Sequence, residues 1–392
     1  MEQVNPLHKS QNHVSQQNSA ILIAPAYPLR GGIASSTERL AIELQRRGYA
    51  VTIYTFSLQY PSFLFPGKTQ YSEDPPPPDL KIKVKINSVN PLNWRAVGKE
   101  IRDLRPNIVI TRFWLPFMGP SLGTIIRTIQ KNNFTKSLAI IDNIIPHEKR
   151  IGDRQLAQYF VNSVDAFIVM SKAVKEEMRM FTKEKSIRYI PHPMYDNYGE
   201  HLSKEVAKDF LKLDQTQNYL LFFGFIRDYK GLDLLIEAMS DSRIKALGVK
   251  LIIAGEYYSK KEKYEALIEE KKLRESLILR TDFIPNPEVR YYFCASDIVV
   301  QPYKTATQSG ISQLAYYFNK PMLATAVGGL PEIVEHEKGG YVVPVNVSSI
   351  ADAIVDFYKN KKEATFVKNV IERKSLFSWG NMVDGIEELL GS

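Results

Sequence analysis

Short apolar runs alternate with amphipathic stretches along almost the whole of this 392-residue chain. The runs read AILIA, YAVTIYTF, LKIKVKIN, NIVIT, SLAIID and AFIVM, then YLLFFG, VKLIIAG, SLILR, DIVVQ, PMLAT and GGYVV. Most of them are continuously apolar, which is typical of strands buried on both faces of a parallel sheet. The stretches between them, such as STERLAIELQRRG, have helical spacing with a Ser/Thr start and a glycine stop. The alternation therefore predicts an α/β fold built from doubly wound, Rossmann-like sheets.

One segment near the middle of the chain interrupts this alternation. In IPHPMYDNYGEHLSKE, proline, glycine and polar residues replace the apolar pattern, which is typical of a domain boundary. A chain of this length also exceeds what one small core needs. We therefore predict a disordered polar tail over 1–18, one Rossmann-like domain over 19–195 and a second over 196–375. The last segment, 376–392, is predicted to be a helix that could pack back on the first domain.

Composition narrows the class of protein. The longest apolar stretches fall far short of the roughly 18 residues of a membrane-spanning helix, and the first 18 residues lack the apolar core of a secretory signal. A single cysteine, Cys294, rules out an internal disulfide framework and suits the cytoplasm. The net charge of +8 is concentrated in the first half and suggests an anionic partner, such as a phospholipid surface, a nucleic acid or an acidic acceptor.

Ligands of parallel sheets bind beyond the carboxyl ends of the strands, so the segments that follow strands hold the candidate site residues. After AILIA, Gly31 and Gly32 precede a helix whose free N–H groups favour an anion, and a simple turn explains them equally well. After YLLFFG, Arg227 and Lys230 flank a turn closed by Gly231. A planar guanidinium and a mobile ammonium ahead of a helix form a clamp for a diphosphate. The alternative interpretation is a solvated basic turn.

The segment TATQSGISQLAYYF follows the strand DIVVQ and places hydroxyls, amides and one glycine at the start of a helix. Backbone amides of a first helical turn can hold a phosphate without any acid, and the polar side chains can hydrogen-bond the hydroxyls of a sugar. Helix capping alone would also explain these residue types. The candidate binding residues in this segment are Thr307, Gln308, Ser309, Gly310, Ile311 and Gln313.

The strand SLAIID ends in NIIPHEKR, which brings the acid Asp142 and the histidine His147 close together in sequence. His147 follows a proline in a polar loop, where burial is not its obvious purpose. Both a functional and a structural role therefore stay open for this histidine.

Five segments together resemble a known family. GGIASSTERLAIEL, GFIRDYKGLDLLIEAM, LIIAGE, SDIVVQPY and KPMLATAVGGLPEIVEHEKGGYVVP are similar to segments of the retaining glycosyltransferases of family 4. The resemblance runs from about Ile21 to the end of the chain and is densest in the second half. It implies a GT-B fold, in which two Rossmann-like domains face a cleft. Residues 19–195 would then meet the acceptor, and residues 196–375 would bind a nucleotide-sugar donor.

The chain departs from this family at its usual pair of glutamates, eight positions apart. Counted back from Pro321 without gaps, these positions hold Ala306 and Leu314. Phe225 stands where an arginine is usual, with Arg227 two positions further on. The combination of YKG with ATQSG resembles a variant branch of the family, which favours altered chemistry over loss of activity.

The resemblance implies transfer of a sugar from a nucleotide diphosphate to a saccharide or lipid-linked acceptor, with retention at the anomeric carbon. Cell-surface polysaccharide or glycoconjugate synthesis is the expected role. Arg227, Lys230 and His147 are the predicted catalytic residues, and Asp142, Gly31, Gly32 and the residues of the TATQSG segment are predicted to bind substrate. The chain has no D-x-D motif, so we expect neither a metal ion nor a cofactor besides the donor.

Aromatic and basic residues after the second strand suggest a membrane contact. In FSLQYPSFLFPGKTQY, Phe63, Leu64 and Phe65 stand near Lys68, a combination suited to shallow binding at an anionic bilayer. Ordinary core packing is the alternative. We expect a cytoplasmic protein, peripheral at the inner face of the plasma membrane, with no nucleic-acid partner.

Two other functions remain open at this point. The missing glutamates suggest a GT-B binding or partner subunit that has lost transfer, and a sugar-nucleotide epimerase would share the same architecture. The sequence does not identify the donor sugar, its base or the acceptor.

Overall fold

The structure is a computed structural model of the chain, and it describes residues 18–61, 70–72, 75–146, 150–306 and 309–391. Several residues named above lie outside these ranges: the tail up to residue 17, Phe63, Leu64, Phe65, Lys68, His147, Thr307 and Gln308. The described residues contain two β-sheets of parallel strands, which confirms the predicted α/β class. Within the described ranges, no helix combines the length and the apolar character that crossing a bilayer requires.

The described residues divide into two compact units. The first holds residues up to Arg112 with Pro116–Ala139 and Ile151–Asp165, and the second holds Phe113–Leu115, Ile140–Arg150 and the chain from Ala166 onward. The residues from Ile190 to Ser203 are all described and form neither helix nor strand, as the proline-rich pattern of this segment predicts. The second unit also takes in two strands that precede this segment.

Seven strands form the first sheet, in the order β3-β2-β1-β4-β5-β6-β7. They are β1 (Ser19–Ile23), β2 (Ala50–Leu58), β3 (Ile82–Asn87), β4 (Ile108–Phe113), β5 (Lys136–Ile141), β6 (Ala166–Val169) and β7 (Ser186–Tyr189). Leu22 of β1 pairs in parallel with Ile53 of β2 and with Ile110 of β4, and all three side chains are buried. The helices that alternate with these strands are α1 (Gly32–Arg46), α2 (Pro91–Leu104), α3 (Gly119–Ile129), α4 (Asp153–Val161) and α5 (Lys172–Arg179).

Six parallel strands form the second sheet, in the order β10-β9-β8-β11-β12-β13. They are β8 (Tyr219–Phe223), β9 (Lys250–Ala254), β10 (Leu277–Arg280), β11 (Ile298–Gln301), β12 (Met322–Thr325) and β13 (Gly340–Val343). The accompanying helices are α6 (Lys204–Phe210), α7 (Leu232–Met239), α8 (Ser242–Leu247), α9 (Lys261–Glu270), α10 (Val289–Ala295), α11 (Gly310–Tyr317), α12 (Leu330–Ile333), α13 (Val347–Lys359), α14 (Glu363–Arg373) and α15 (Trp379–Leu390).

The six-stranded sheet is covered on both faces. Leu220 and Phe222 of β8 belong to one apolar core, whereas Tyr219 and Leu221 belong to the other. Successive side chains of a strand point to opposite faces, so a strand between two cores must be apolar throughout. This is why the run YLLFFG shows no polar alternation.

The structure differs from the sequence prediction at two elements. β7 was not predicted, because its sequence SIRY is short and carries an arginine among its few apolar residues. Helix α1 begins at Gly32, ahead of the predicted Ser/Thr start. The hydroxyls of Ser36 and Thr37 donate to the carbonyl of Ile33, so these buried side chains bond within the helix and do not cap it.

The C-terminal segment forms the predicted helix, α15. Ser378 caps it by accepting a hydrogen bond from the N–H of Asn381. The indole of Trp379 donates to the carbonyl of Met194 over 2.9 Å, and α15 contacts β6 and β7, all within the second unit.

Both sheets contain a point where the strand order reverses. β8 lies between β9, which follows it in sequence, and β11, which comes three strands later, and β1 lies in the same way between β2 and β4. Connections on the two sides of such a point leave a crevice at the carboxyl ends of the strands. The segments that follow β8 and β11 are therefore the places to look for a ligand site.

Candidate functional site

The turn after β8 approaches its neighbours too closely for side chains. Gly224 has φ +93°, and a Cβ there would lie 3.1 Å from Nζ of Lys230. Gly231 has φ +67°, and a Cβ there would lie 1.9 Å from the carbonyl oxygen of Pro302, which follows β11. Only glycine combines this backbone conformation with such close packing. The two glycines therefore fix the turn that carries Lys230 against the loop after β11.

Lys230 is buried without a counter-charge. Its side chain is 8% exposed, and among the described residues it has no hydrogen-bond or ion-pair partner. Its ammonium lies 5.8 Å from the ring centroid of Tyr303. Burial, and then the nearby positive charge of Arg227, lower the pKa of Lys230 to about 8. A buried ammonium with a lowered pKa in a crevice is typical of a binding site for an anion.

The acids closest in sequence to Lys230 are engaged by other residues. Asp228 accepts hydrogen bonds from Lys263 and Tyr264, at 3.0 Å and 3.2 Å. Asp233 pairs with Lys304 at 2.5 Å. Both carboxylates are thus paired with other lysines, and neither forms an ion pair with Lys230 in the described part of the chain.

Arg227 lies beside the turn in a different environment. Its side chain is exposed, with the guanidinium carbon 5.1 Å from the ring centroid of Tyr258. Phe225 also contacts Tyr258, with 4.4 Å between ring centroids. The positive charge of Arg227 repels the ammonium of Lys230, and this repulsion contributes to the lowered pKa of that lysine. The predicted clamp thus consists of one buried cation and one exposed cation.

The start of α11 faces the same turn. Ser309 is the N-cap residue of this helix in an extended conformation, and its hydroxyl lies 3.3 Å from the hydroxyl of the buried Tyr303. A Cβ on Gly310 would lie 2.9 Å from the ring of Tyr195, and Cδ1 of Ile311 lies 3.3 Å from the Cβ position of Gly224. The side chain of Ile311, in the first turn of α11, and the ammonium of Lys230 therefore both lie against Gly224.

Gln313 is the other predicted residue of this helix, and it is 2% exposed. Its Oε1 atom has no hydrogen-bond partner among the residues that the structure describes. Leu314, at one of the two positions where the family resemblance leads one to expect a glutamate, is buried. Ala306, at the other position, packs against the apolar core. Helix α11 itself, GISQLAYY, contains no acidic residue.

These segments enclose an open pocket of about 270 Å³. It lies across the carboxyl ends of β8, β9 and β10 and the start of α11. Aromatic and aliphatic side chains form most of its wall, and Lys230, Glu256 and Asn286 are its charged or amide side chains. The lining residues are Tyr195, Tyr198, Phe223, Gly224, Phe225, Lys230, Gly255, Glu256, Phe283, Ile284, Asn286, Val289, Gly310, Ile311 and Leu314.

The structure brings together some of the predicted residues and not others. Lys230, Gly310 and Ile311 line the pocket, Ser309 and Gln313 belong to the same helix start, and Arg227 is not among the lining residues. Gly31, with φ +115°, and Gly32 form the exposed start of α1 in the first unit.

Asp142 follows β5, and its N–H donates to the carbonyl of Phe113 over 2.8 Å. The next residue, Asn143, lines a second cavity of about 460 Å³ in the second unit, together with Ser171, Glu177 and Gly328. Asp142 itself does not line it.

The pocket wall was not predicted from the sequence. Phe225 and Phe283 are exposed aromatic residues of this wall that follow β8 and β10, and Tyr258, which follows β9, contacts Phe225 from outside the lining. Aromatic residues soon after neighbouring strands are a usable signal, because ligands of parallel sheets bind beyond the carboxyl ends of the strands and ligand pockets are mostly lined by apolar and aromatic side chains. Across the described ranges, no cluster of three or more His, Cys, Asp or Glu side chains could hold a metal ion.

Two family models match the chain. The model described as Glycosyltransferase Family 4 matches residues 30–195, and the model described as Glycosyl transferases group 1 matches residues 203–373. Together they take in most of the chain, and they leave out residues 1–29, 196–202 and 374–392.

Curated relatives of this chain are also described as glycosyltransferases. A D-inositol 3-phosphate glycosyltransferase of Mycobacteroides abscessus is 26% identical over 258 residues, which are 64% of this chain and 56% of that protein. The putative teichuronic acid biosynthesis glycosyltransferase TuaC of Bacillus subtilis is 21% identical over 357 residues, 86% of this chain and 88% of that protein. The chain spans less than two thirds of the length of the first relative, and 63% of an uncharacterized glycosyltransferase of Methanocaldococcus jannaschii.

Solved structures show the same fold over almost the whole chain. HepE of Anabaena, in complex with UDP, superposes with a TM-score of 0.68 at 16% identity, covering 95% of this chain and 99% of that one. Sucrose-phosphate synthase of Thermosynechococcus elongatus superposes with a TM-score of 0.68 at 17% identity, covering 95% and 98%. With a family 4 match followed by a group 1 match on this shared architecture, the chain belongs to the glycosyltransferases of GT-B fold.

Proposed function

We propose that the chain transfers a sugar from a nucleotide-diphosphate donor to a saccharide or lipid-linked acceptor. The observation that carries this proposal is Lys230, a buried ammonium without a partner among the described residues, next to the start of α11. A diphosphate bound there would accept hydrogen bonds from the ammonium and from free backbone N–H groups at the same time. The aromatic wall of the same pocket suits the base of a nucleotide.

The chemistry follows from where charge develops. The bond between the anomeric carbon and the diphosphate oxygen breaks, and its electron pair leaves with the diphosphate. A hydroxyl oxygen of the acceptor forms the new bond to that carbon, and its proton passes to an oxygen of the departing phosphate. Lys230 and Arg227 stabilise the charge that grows on the diphosphate, which is usually the largest catalytic contribution of a protein. No carboxylate is needed for this step.

Finer features of the reaction extend the same proposal. We infer retention at the anomeric carbon, hexosyl transfer and independence of a metal ion from the resemblance to family 4 and from the absence of a D-x-D motif. A role in surface polysaccharide or glycoconjugate synthesis is supported by the description of TuaC. A nucleotide-sugar donor is supported by the complexes of HepE with UDP and with UDP-glucose.

The remaining predicted roles are part of the proposal. His147 would support turnover without holding the donor, and Gly31, Gly32 and Asp142 would contact substrate. Peripheral contact with the cytoplasmic face of an anionic membrane would bring a lipid-linked acceptor to the enzyme. The net charge of +8 supports such a contact.

The test is turnover of a radiolabelled nucleotide-sugar donor in the presence of membrane extract. We expect Lys230→Ala and Arg227→Ala each to lower transfer by on the order of 100-fold or more, as loss of one group that stabilises developing negative charge does elsewhere. His147→Ala should lower turnover and keep donor affinity. Lys245→Ala, which removes an exposed lysine from α8, serves as the matched control with normal transfer.

Full transfer by both the Lys230 and Arg227 variants would exclude the diphosphate clamp. The same assay separates the other candidate functions. Absence of transfer by the wild-type chain with every donor and extract would favour an inactive partner subunit, and a changed sugar nucleotide without any acceptor would favour an epimerase.

A further inference from the structure

The polar residues of the pocket are spread over three neighbouring strand ends. Lys230 follows β8, Glu256 follows β9, and Asn286 lies beyond β10. The strand order β10-β9-β8-β11 places these ends side by side along one edge of the sheet. Neighbouring strands lie about 4.8 Å apart, so each of these positions is about one strand further from α11 than the one before.

A nucleoside diphosphate has its parts in the same linear order. With the diphosphate at Lys230 and the start of α11, the ribose falls at the end of β9. The base then falls beyond β10, where Phe283 and Ile284 form an apolar wall. This placement rests on the proposed function, because it takes the anion at Lys230 to be the diphosphate of the donor.

Glu256 is the residue that meets the ribose in this arrangement. It is half-buried, and it is the only acid among the described residues that line the pocket. Its backbone carbonyl accepts a hydrogen bond from Ile226 over 2.8 Å, which fixes its main chain beside the turn after β8. Its side chain has no hydrogen-bond or ion-pair partner among the residues that the structure describes.

Lys230 does not neutralise Glu256. A paired carboxylate would raise the pKa of this lysine, whereas burial and Arg227 both lower it. The pocket therefore holds a positive group and a negative group that are not satisfied by each other. Each of them is therefore available to a group of opposite character on a ligand.

We propose that Glu256 accepts hydrogen bonds from the 2′- and 3′-hydroxyls of the donor ribose. The two oxygens of a carboxylate can accept from two adjacent hydroxyls at once. Helix α11 contributes Leu314 to the pocket wall, and this apolar side chain cannot accept a hydrogen bond. Glu256 is thus a specificity-determining residue for ribonucleotide donors, and it acts from β9 instead of from α11.

Calorimetric titration tests this assignment. UDP, ADP, GDP and CDP are titrated into the full chain, and each one that binds is compared with its own 2′,3′-dideoxy form. The wild type should bind the ribose form more tightly by on the order of 10-fold to 100-fold, as expected for hydrogen bonds to a charged group. In Glu256→Ala the two forms should bind equally, and in Glu256→Gln the preference should be smaller than in the wild type.

The control is Glu262→Ala, which removes an exposed carboxylate from the first turn of α9 and should keep the full preference. Thermal melts followed by circular dichroism establish whether each variant is folded. If Glu256→Ala does not fold, the nearly isosteric Glu256→Gln variant is used for the comparison.

Each result of these titrations either supports or excludes the assignment of Glu256 to the ribose. A wild-type preference that survives in the folded Glu256 variants overturns the assignment, as does a wild type without any preference. A variant that keeps the preference for hydroxyls but changes its choice of base assigns Glu256 to the base, and so also overturns it. If none of the four diphosphates binds the wild type, the proposed donor site itself fails. If the diphosphates bind the wild type and Lys230→Ala lowers their affinity, the proposed donor site is supported, and the Glu256 variants then test the role of Glu256 alone.

Discussion

The ammonium of Lys230 is held where water cannot solvate it well and where no carboxylate of the described residues balances it. In the folded protein its pKa is about 8, lowered from the ordinary 10.5. Below pH 8 both the folded and the unfolded chain carry this proton, and the folded chain bears the cost of the buried charge. Between pH 8 and pH 10.5 the unfolded chain binds more protons, so the free energy of unfolding rises with pH in this range.

We therefore predict that Lys230→Met stabilises the protein while it lowers transfer. At pH 7 the free energy of unfolding should rise by on the order of 2–3 kcal/mol, and the gain should shrink between pH 8 and pH 10.5. Urea denaturation at pH 7 and at pH 9.5 measures both quantities. Lys245→Met, at an exposed lysine, should show no such dependence on pH. A Lys230→Met variant that is less stable than the wild type at pH 7 would contradict this account.

At the scale of elements, the turn between β8 and α7 depends on its contact with the loop after β11. Gly231 and Gly248 share φ +67°, but only Gly231 faces a backbone atom, because Gly248 has open space around its Cβ position. The N–H of Lys304 also donates to the carbonyl of Tyr229 over 2.7 Å. The turn and the loop are thus positioned together, and with them Lys230 and the start of α11.

The two glycines form a matched pair for a stability measurement. Gly248→Ala should cost about 1 kcal/mol, the strain of a left-handed conformation with a Cβ. Gly231→Ala should cost roughly 1–3 kcal/mol more, because its Cβ would overpack against the carbonyl of Pro302. It should also weaken nucleoside diphosphate binding, whereas Gly248→Ala should not. Urea denaturation and calorimetry measure these effects, and equal costs for the two variants would show that the close contact is unimportant.

In the molecule as a whole, part of the excess positive charge is paired with carboxylates and is less available to an anionic partner. Lys83 and Lys85 of the basic strand β3 both pair with Glu100. These two lysines share one carboxylate, so their positive charge is only partly balanced within the protein. The predicted membrane contact near Lys68 falls outside the described residues and stays a prediction from sequence.

We expect the chain to float with vesicles that contain anionic phosphatidylserine at low salt, and to be released at about 1 M salt, where the Debye length is about 3 Å. The combined change Phe65→Ser and Lys68→Glu should abolish flotation. Lys83→Glu, at a lysine that already has a carboxylate partner, is the control of equal charge change. Binding to neutral phosphatidylcholine vesicles of the same size would show that charge is not the attraction, and no flotation at low salt would end the membrane hypothesis.

Residue types alone predicted the fold class and the position of twelve of the thirteen strands in the described part of the chain, because burial on both sheet faces forces continuous apolar runs. Lys230 is a candidate from the sequence, because a lysine followed by a glycine just before a helix is a local pattern, and its role in binding and catalysis stays a prediction. The folded structure was needed to show that Lys230 is buried while Arg227 is exposed, and that Glu256 lines the same pocket as Lys230. Periodicity records how buried each residue is, but it does not record which strands become neighbours. The strand order of the second sheet makes that choice, and it brings the ends of β8, β9, β10 and β11 to one site from positions far apart along the chain.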